Sequence, residues 1–164
     1  MRIAPALFAL TAMLVAGCGQ GSAPANAGQD QAPPLPPMPT PAQIKAEIAT
    51  LPAPYNQGDY EAGKIRFTQC AACHTATQGG PNMTGPNLYG IFGRKSATAP
   101  GFDYSDGLAG LHQTWDAAKI DKWITNPRAV VPDTHMTFPG LKDPKDRADV
   151  IAYLRVETSP LPRS

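Results

Sequence analysis

The first hydrophobic feature of the chain is a largely apolar run from Ile3 to Ala16, preceded by a single positive charge at Arg2. A run of this length is too short to span a bilayer as a mature helix. Its charged start and apolar centre are typical of an export signal. We therefore predict that residues 1–17 form a signal peptide that is removed, and we leave them out of the fold.

Three later segments are plausible helices, and the last two have their apolar residues on one side, as amphipathic helices do. They predict helices over residues 59–69, 116–125 and 143–157, the last capped by Asp143 with Pro144 in its first turn. No stretch alternates apolar and polar residues as a half-buried strand would, so the pattern predicts an all-α domain. The stripes of the last two helices are Ile120, Trp123 and Ile124, and Val150, Ile151 and Leu154.

Between Gly19 and Gln57 the chain holds nine prolines, mixed with Gly, Ala, Ser and Gln and only three charged residues. Such a composition has too little apolar material for a core and predicts an extended tether. The predicted organisation is a tether at 18–57, a domain at 58–158 and a tail at 159–164. Within the tether, Thr40 can cap a short helix, and whether that helix docks on the domain or on a partner is left open.

The predicted signal peptide ends in Val15-Ala16-Gly17-Cys18, which resembles the lipobox of bacterial lipoproteins. In that case Cys18 becomes the lipidated N-terminus of an exported protein anchored to a bacterial membrane. The alternative is ordinary cleavage after small residues, with Cys18 incidental. We prefer lipidation because an unpaired terminal thiol in an exported protein otherwise has no explanation.

The sequence Cys70-Ala71-Ala72-Cys73-His74 carries the most specific chemistry in the chain. In an exported protein, C-x-x-C-H predicts covalent attachment of a c-type haem, with thioethers from Cys70 and Cys73 and iron ligation by His74. A thioredoxin-like motif would need a βαβ pattern, and a zinc site would need a second ligand pair. A disulfide between Cys70 and Cys73 is possible, but so short a loop stabilises little.

Four candidates remain for the second axial ligand of the iron: Met83, His112, His135 and Met136. Met83 follows His74 so closely that the loop between two haem faces would be very short, and His112 lies in a Gly-rich stretch. His135 and Met136 follow an extended segment, in which neighbouring side chains point to opposite sides. Met136 is preferred because the apolar Phe138 lies on its side of the backbone, and His135 is then expected at the rim of the site.

From Gly58 to about Val156 the chain resembles the class I cytochromes c, close to their mitochondrial and alphaproteobacterial branch. The motifs that carry the resemblance are GDYEAGK, GPNLYGIFGRK, APGFDYSD, TWDAAKIDKWITNP, TFPGLK and DRADVIAYL. The resemblance implies the all-α class I cytochrome c fold, wrapped around one covalent haem c. It also implies that Gly63 and Phe67 pack the first helix against Tyr153 on the last.

The same resemblance implies roles for single residues of the site. The carbonyl of Pro86 would accept a hydrogen bond from His74, and Met136 would be the distal ligand. Trp123 stands where the family has a tyrosine, so that tyrosine's hydrogen bond cannot be assumed. The groups around the haem propionates would be Arg94, Tyr104 and Trp115, with Thr134 nearby, and Phe138 would screen the haem edge.

Ligation by histidine and methionine leaves no open coordination position, which favours one-electron transfer over catalysis. We therefore expect a membrane-tethered electron carrier on the periplasmic side, between a quinol:cytochrome c oxidoreductase and a terminal oxidase. The alternative is a dedicated electron-accepting subunit of a periplasmic dehydrogenase. A peroxidase, a third possibility, would need a labile sixth ligand.

The charge of the predicted domain bears on its partners. Residues 58–158 hold six Lys and five Arg against nine Asp and two Glu, which gives no net charge. The domain has no excess of basic residues, so its charge gives no reason to expect nucleic-acid binding. Mitochondrial members of the family are strongly basic, so we expect this protein to bind redox partners with weaker salt dependence than those members do. We also expect it to be a monomer.

Overall fold

The computed structural model describes residues 38–160. The predicted signal peptide, Cys18 and the tether as far as residue 37 lie outside the described residues, as do residues 161–164 of the predicted tail. Within the described range, no helix is both long and apolar enough to cross a membrane.

Six α-helices follow one another along the described chain. They are α1 (Pro41–Ala49), α2 (Tyr60–Ala71), α3 (Asp106–Ala109), α4 (Ala117–Thr125), α5 (Pro127–Val130) and α6 (Pro144–Glu157), with a 3₁₀ turn at Tyr55–Gln57. Residues 38–160 contain no strand, and only Lys95 and Thr114 form an isolated antiparallel bridge. The predicted all-α fold class is confirmed.

The three long helices of the predicted domain begin at aspartate caps. The side chain of Asp59 accepts a hydrogen bond from the backbone of Ala62 at 2.8 Å, and Asp116 and Asp143 cap α4 and α6 in the same way. Each cap satisfies a backbone N–H group that the first helical turn leaves without a partner. The three helices predicted from the sequence are confirmed, and α2 extends two residues beyond its predicted end.

Helices α2 and α6 approach each other closely. A Cβ atom added at Gly63 would overlap the backbone oxygen of Asp149 on α6. One turn further along α2, the buried ring of Phe67 lies 5.0 Å from the ring of Tyr153, measured between centroids. The packing that the resemblance implied is therefore confirmed, and it positions the end of α2 beside α6.

Arg147 on α6 joins α4 to the segment that precedes α6. Its Nε donates to a carboxylate oxygen of Asp121 at 2.8 Å, and its Nη1 donates to the carbonyls of Leu141 and Lys142. The backbone N–H of Leu141 in turn donates to the carbonyl of Ile124 at 2.8 Å. These bonds fix the end of the stretch 134–139, which contains the predicted distal ligand.

The short helix predicted within the tether is present as α1. The hydroxyl of Thr40 accepts from the backbone of Gln43, and the side-chain oxygen of Gln43 accepts from the backbone of Thr40 at 2.8 Å. This reciprocal pair is a capping box, and Pro41 occupies the first position, where no backbone donor is needed. The sequence signals at this helix start were therefore sufficient to locate it.

Helix α1 docks on the domain, which the sequence left open. Glu47 forms an ion pair with Arg155 of α6 at 3.0 Å, and Leu51 is buried in the hydrophobic core. Residues 40–57 thus belong to the same compact unit as α6, and the predicted boundary between residues 57 and 58 is too late. Composition misplaced the boundary because a few long-range contacts hold this proline-rich stretch.

We expect Glu47→Gln to lower the free energy of unfolding by about 1 kcal/mol, measured by chemical denaturation with circular dichroism. The side chains of Glu47 and Arg155 are only 17% and 27% exposed, so solvent screens their ion pair weakly. The matched control is Lys119→Gln, whose pair with Asp116 is 41% and 55% exposed. The control is expected to change stability by about 0.3 kcal/mol, and equal effects of the two variants would contradict the docking of α1.

Candidate cofactor site

A cavity of about 380 Å³ is bounded by α2, α4, α6 and the loops around them. Its volume falls within the range of cofactor pockets, roughly 300–1,000 Å³. The ten cofactor residues predicted from the sequence all line it: Cys70, Cys73, His74, Pro86, Arg94, Tyr104, Trp115, Thr134, Met136 and Phe138. The fold thus brings together residues spread over much of the chain.

The end of α2 presents the two thiols and the imidazole on one turn. The backbone N–H groups of Cys73 and His74 both donate to the carbonyl of Cys70, at 3.0 and 2.9 Å. Both cysteines are free thiols and are not joined to each other. Burial raises the pKa of the Cys70 thiol to about 11. Because the two thiols are not joined to each other, both are available for thioether bonds, and the turn holds the imidazole next to them.

His74 is oriented by a loop that crosses beside it. Its Nδ1 lies 2.8 Å from the carbonyl oxygen of Pro86. A carbonyl only accepts, so Nδ1 carries the proton and Nε2 keeps its lone pair. Burial lowers the pKa of His74, the hydrogen bond to Pro86 opposes this, and the charge of Arg94 adds to the lowering. A neutral imidazole with a free Nε2 is the form that ligates a metal.

Two further residues support this ring, and the sequence analysis did not assign them. A Cβ atom at Gly85 would overlap the imidazole of His74, so only glycine allows the loop to pass at this distance. The side-chain amide of Asn87 donates to Thr75 at 2.6 Å and to the carbonyls of Thr77 and Gly80. Gly85 and Asn87 flank Pro86 in the motif GPNLYGIFGRK. Their position next to Pro86 is the sequence feature from which their roles could have been predicted.

Residues 134–139 alternate in exposure as an extended strand does, whereas the extended segment predicted just before them is absent, because Val130 ends α5 and Pro132 and Asp133 form a turn. Thr134 is buried and Met136 and Phe138 are half-buried, whereas His135 is exposed. The hydroxyl of Thr134 accepts from the backbone N–H of Met136 at 3.2 Å, which restrains the backbone at Met136. Met136 therefore lies on the sheltered side of this stretch and His135 on the exposed side, as the sequence pattern predicted.

The other two candidates for the distal ligand lie elsewhere. Met83 is 47% exposed, and neither Met83 nor His112 lines the cavity. His112 is exposed and has a positive φ of 48°. Among the described residues, Met136 is thus the methionine that the fold brings to the same cavity as His74.

Polar groups gather on another wall of the cavity. Arg94 donates through Nη1 to the carbonyls of Asn87 and Tyr89, at 2.9 and 3.3 Å. Burial lowers the pKa of Arg94 and raises that of Tyr104, whose hydroxyl accepts from the backbone of Ala99. A half-buried cation beside a phenol suits the carboxylates of an anionic ligand.

Trp115 shapes the same wall. Its side chain is 7% exposed and packs edge-on against Trp123, with the ring centroids 5.7 Å apart. Two thiols, a neutral imidazole, a thioether, a half-buried cation and largely apolar walls in one cavity fit haem c. The residues present are therefore those that this cofactor needs.

Comparison with known proteins agrees with this geometry. The family model described as Cytochrome c matches residues 60–156. Cytochrome c from Kluyveromyces lactis is 42% identical over 105 residues, which is 63% of this chain and 96% of that protein. Cytochrome c2 from Rhodomicrobium vannielii is 41% identical over 116 residues, which is 71% of this chain and 93% of that protein.

A solved structure shows the same fold. Cytochrome cH from Methylobacterium extorquens superposes with a TM-score of 0.56 and 42% identity, covering 60% of this chain and 98% of that one. These relatives are electron-transfer proteins that hold one covalent haem c through a cysteine pair, and Cys70 and Cys73 are the corresponding pair. The chain therefore belongs to the cytochrome c family, as an electron carrier with one haem c attached through Cys70 and Cys73.

Proposed function

We propose that this protein is a membrane-tethered one-electron carrier whose haem iron is ligated by His74 and Met136. The observation that carries the proposal is that both side chains line the one cavity that also contains the cysteine pair. When bound, the haem supplies the one-electron redox chemistry. With His74 and Met136 both holding the iron, no coordination position would remain for oxygen or a substrate.

The residues of the chain have separate tasks in this proposal. Nε2 of His74 would hold the iron, and Pro86 fixes the orientation of the His74 ring through Nδ1. Thr134 restrains the backbone at Met136 through its hydrogen bond to that backbone. Arg94, Tyr104 and Trp115 would hold the haem propionates, and Phe138 would screen the haem edge from water. Each task is supported by the position of the residue on the cavity wall.

The location of the protein is part of the proposal. Export by the signal peptide and lipidation of Cys18 would place the domain on the periplasmic side of a bacterial membrane. The tether would let the domain reach successive partners while it stays near the surface, which raises its effective concentration. The proposed partners are a quinol:cytochrome c oxidoreductase as donor and a terminal oxidase as acceptor.

We expect Cys18→Ser to move the protein from the membrane fraction to the soluble periplasmic fraction, because the acyl anchor is lost. The visible spectrum of the purified variant should not change, since residue 18 lies outside the cytochrome c domain. Electron flow from quinol to oxygen through membranes should fall at the same time. The measurements are immunoblots of cell fractions and oxygen uptake by membranes that carry either form.

Two outcomes would contradict the proposal in different ways. Wild-type protein in the soluble fraction would contradict the lipid anchor. In the other outcome, the protein copurifies stably with a periplasmic dehydrogenase, and its haem is reduced only when the substrate of that dehydrogenase is added. This result would contradict the shuttle and favour the dedicated subunit.

A further inference from the structure

Asp133 joins two segments of the haem cavity that are distant in the sequence. It lies in a turn closed by the backbone N–H of Thr134, which donates to the carbonyl of Val131 at 3.1 Å. Its carboxylate oxygen Oδ2 accepts a hydrogen bond from the backbone N–H of Gly107, in the first turn of α3, at 2.8 Å. The stretch 134–139, which contains Met136, is therefore tied to α3 at the point where it begins.

Both of the joined segments carry residues of the cavity wall. Ser105 and Leu108 line the cavity from the side of α3, and Met136 lines it from the side of the stretch 134–139. Neither Asp133 nor Gly107 lines the cavity. Their hydrogen bond thus holds two parts of the wall together without occupying any of the space inside it.

The approach of Asp133 to α3 is so close that only glycine fits at position 107. A Cβ atom added at Gly107 would overlap Oδ1 of Asp133 and lie 2.8 Å from Cγ1 of the buried Val131. The φ of Gly107 is outside the left-handed region, so the backbone conformation by itself does not require glycine. The hydrogen bond and the close approach are separate observations, and both indicate that the turn fits against α3 at this point.

The other end of the stretch is held separately. The ammonium group of Lys142 donates to the carbonyl of Pro139 at 3.1 Å and to the carbonyl of Thr125, the last residue of α4, at 3.2 Å. The stretch that contains Met136 is therefore held by α4 after its last residue and by α3, through Asp133, before its first.

We propose that Asp133 is a positioning residue for the distal ligand, and that its hydrogen bond to Gly107 keeps the Met136 thioether in the cavity. This inference rests on the proposed function, in which Met136 ligates the iron. Local opening of a segment depends on the few contacts that hold it. Without the bond to Gly107, moving the stretch away from α3 costs less free energy, and an external ligand then competes better with Met136.

The test measures how readily imidazole displaces Met136 in the oxidised holoprotein, as loss of the far-red band. Asp133→Ala removes the hydrogen bond, whereas Asp133→Asn keeps a side-chain oxygen that can accept it and removes only the charge. The matched control is Asp116→Ala. The carboxylate of Asp116 accepts from the backbone of Lys119, also at 2.8 Å, but within the start of its own helix, and Asp116 does not line the cavity.

We expect Asp133→Ala to lower the imidazole concentration at half-displacement by about fivefold, because an exposed hydrogen bond to a charged group is lost. Asp133→Asn should stay within about twofold of the wild type, and Asp116→Ala should match it. A concentration for Asp133→Ala at or above the wild-type value would overturn the proposal. Equal effects of Asp133→Ala and Asp133→Asn would overturn it in favour of a charge effect, and equal effects of Asp133→Ala and Asp116→Ala in favour of general destabilisation.

A second variant breaks the same bond without changing Asp133. The new methyl group of Gly107→Ala should displace the carboxylate, so this variant should also be more sensitive to imidazole. Combining Gly107→Ala with Asp133→Ala should add little to either change alone, since both remove one interaction. Fully additive effects of the two changes would overturn the proposal.

Amide hydrogen exchange at Gly107, measured by NMR of the reduced holoprotein, reports the bond directly. Exchange should be about fivefold faster in Asp133→Ala than in the wild type and unchanged in Asp116→Ala. Unchanged exchange in Asp133→Ala would overturn the proposal.

The far-red band of the wild type separates this inference from the proposed function. Its absence would contradict ligation by Met136, and the positioning role with it. A wild-type band that imidazole removes equally in Asp133→Ala and in the wild type would contradict the positioning role alone.

Discussion

Met136→Ala is expected to abolish the weak far-red absorption band of the oxidised protein and to lower its midpoint potential. The band reports a methionine sulfur on ferric iron, and a thioether ligand raises the potential of haem iron. The fall in midpoint potential should amount to a sizeable part of the roughly 0.8 V range that axial ligands span. The measurements are visible spectra of the purified holoprotein and a redox titration of wild type and variant.

The structure gives two reasons to expect an effect of this size from one side chain. Met136 lies half-buried on the cavity wall, and its backbone is fixed by the hydroxyl of Thr134. Of the other candidate ligands, Met83 and His112 do not line the cavity, and His135 is exposed. An alanine at 136 therefore leaves an open coordination position, which added imidazole should fill and shift the spectrum of the variant.

The controls for this prediction are His135→Ala and Met83→Ala. Both should keep the far-red band and the wild-type midpoint potential, since His135 is exposed and Met83 lies outside the cavity lining. If His135→Ala removed the band while Met136→Ala kept it, the assignment of this pair of neighbours would be reversed. A band retained in all three variants would contradict methionine ligation by residue 136.

The features that could be predicted from the sequence are those with a local chemical signature. The attachment turn is readable because two thiols and an imidazole lie within five residues, Cys70 to Cys73 and then His74. The preference for Met136 over His135 needed the alternation of an extended backbone together with the apolar Phe138 on the side of Met136, and the exposures follow that alternation. Helix starts were equally readable, because an aspartate or threonine cap acts on backbone groups two or three positions away.

The features that could not be predicted depend on contacts between distant residues. The docking of α1 depends on an ion pair between Glu47 and Arg155, which the spacing of apolar residues along the chain does not predict. The role of Gly85 depends on how closely its loop passes the His74 ring, and a glycine beside a proline has many other uses.

Gly63→Ala is expected to lower the free energy of unfolding by about 2–3 kcal/mol, although alanine is the better helix former. In a helix interior the change from glycine to alanine would by itself stabilise the protein by roughly 1 kcal/mol. At Gly63, however, the new Cβ would overlap the backbone oxygen of Asp149 and lie 2.8 Å from the Cβ of Tyr153. Two packed helices yield less readily than a flexible side chain, so overpacking outweighs the gain in helix propensity.

Gly110→Ala is the matched control for this change. Gly110 follows α3 with a φ of −78°, which any residue adopts, and an added Cβ would meet nothing closer than the carbonyl of Asp106 at 3.3 Å. The control should change the free energy of unfolding by less than about 0.5 kcal/mol. Chemical denaturation followed by the haem absorption band measures both variants.

Because the contact of Gly63 holds α2 against α6, and α2 ends in the attachment turn, Gly63→Ala should also broaden the haem spectrum before the protein unfolds. Stability equal to wild type in Gly63→Ala would mean that the two backbones do not meet at this residue.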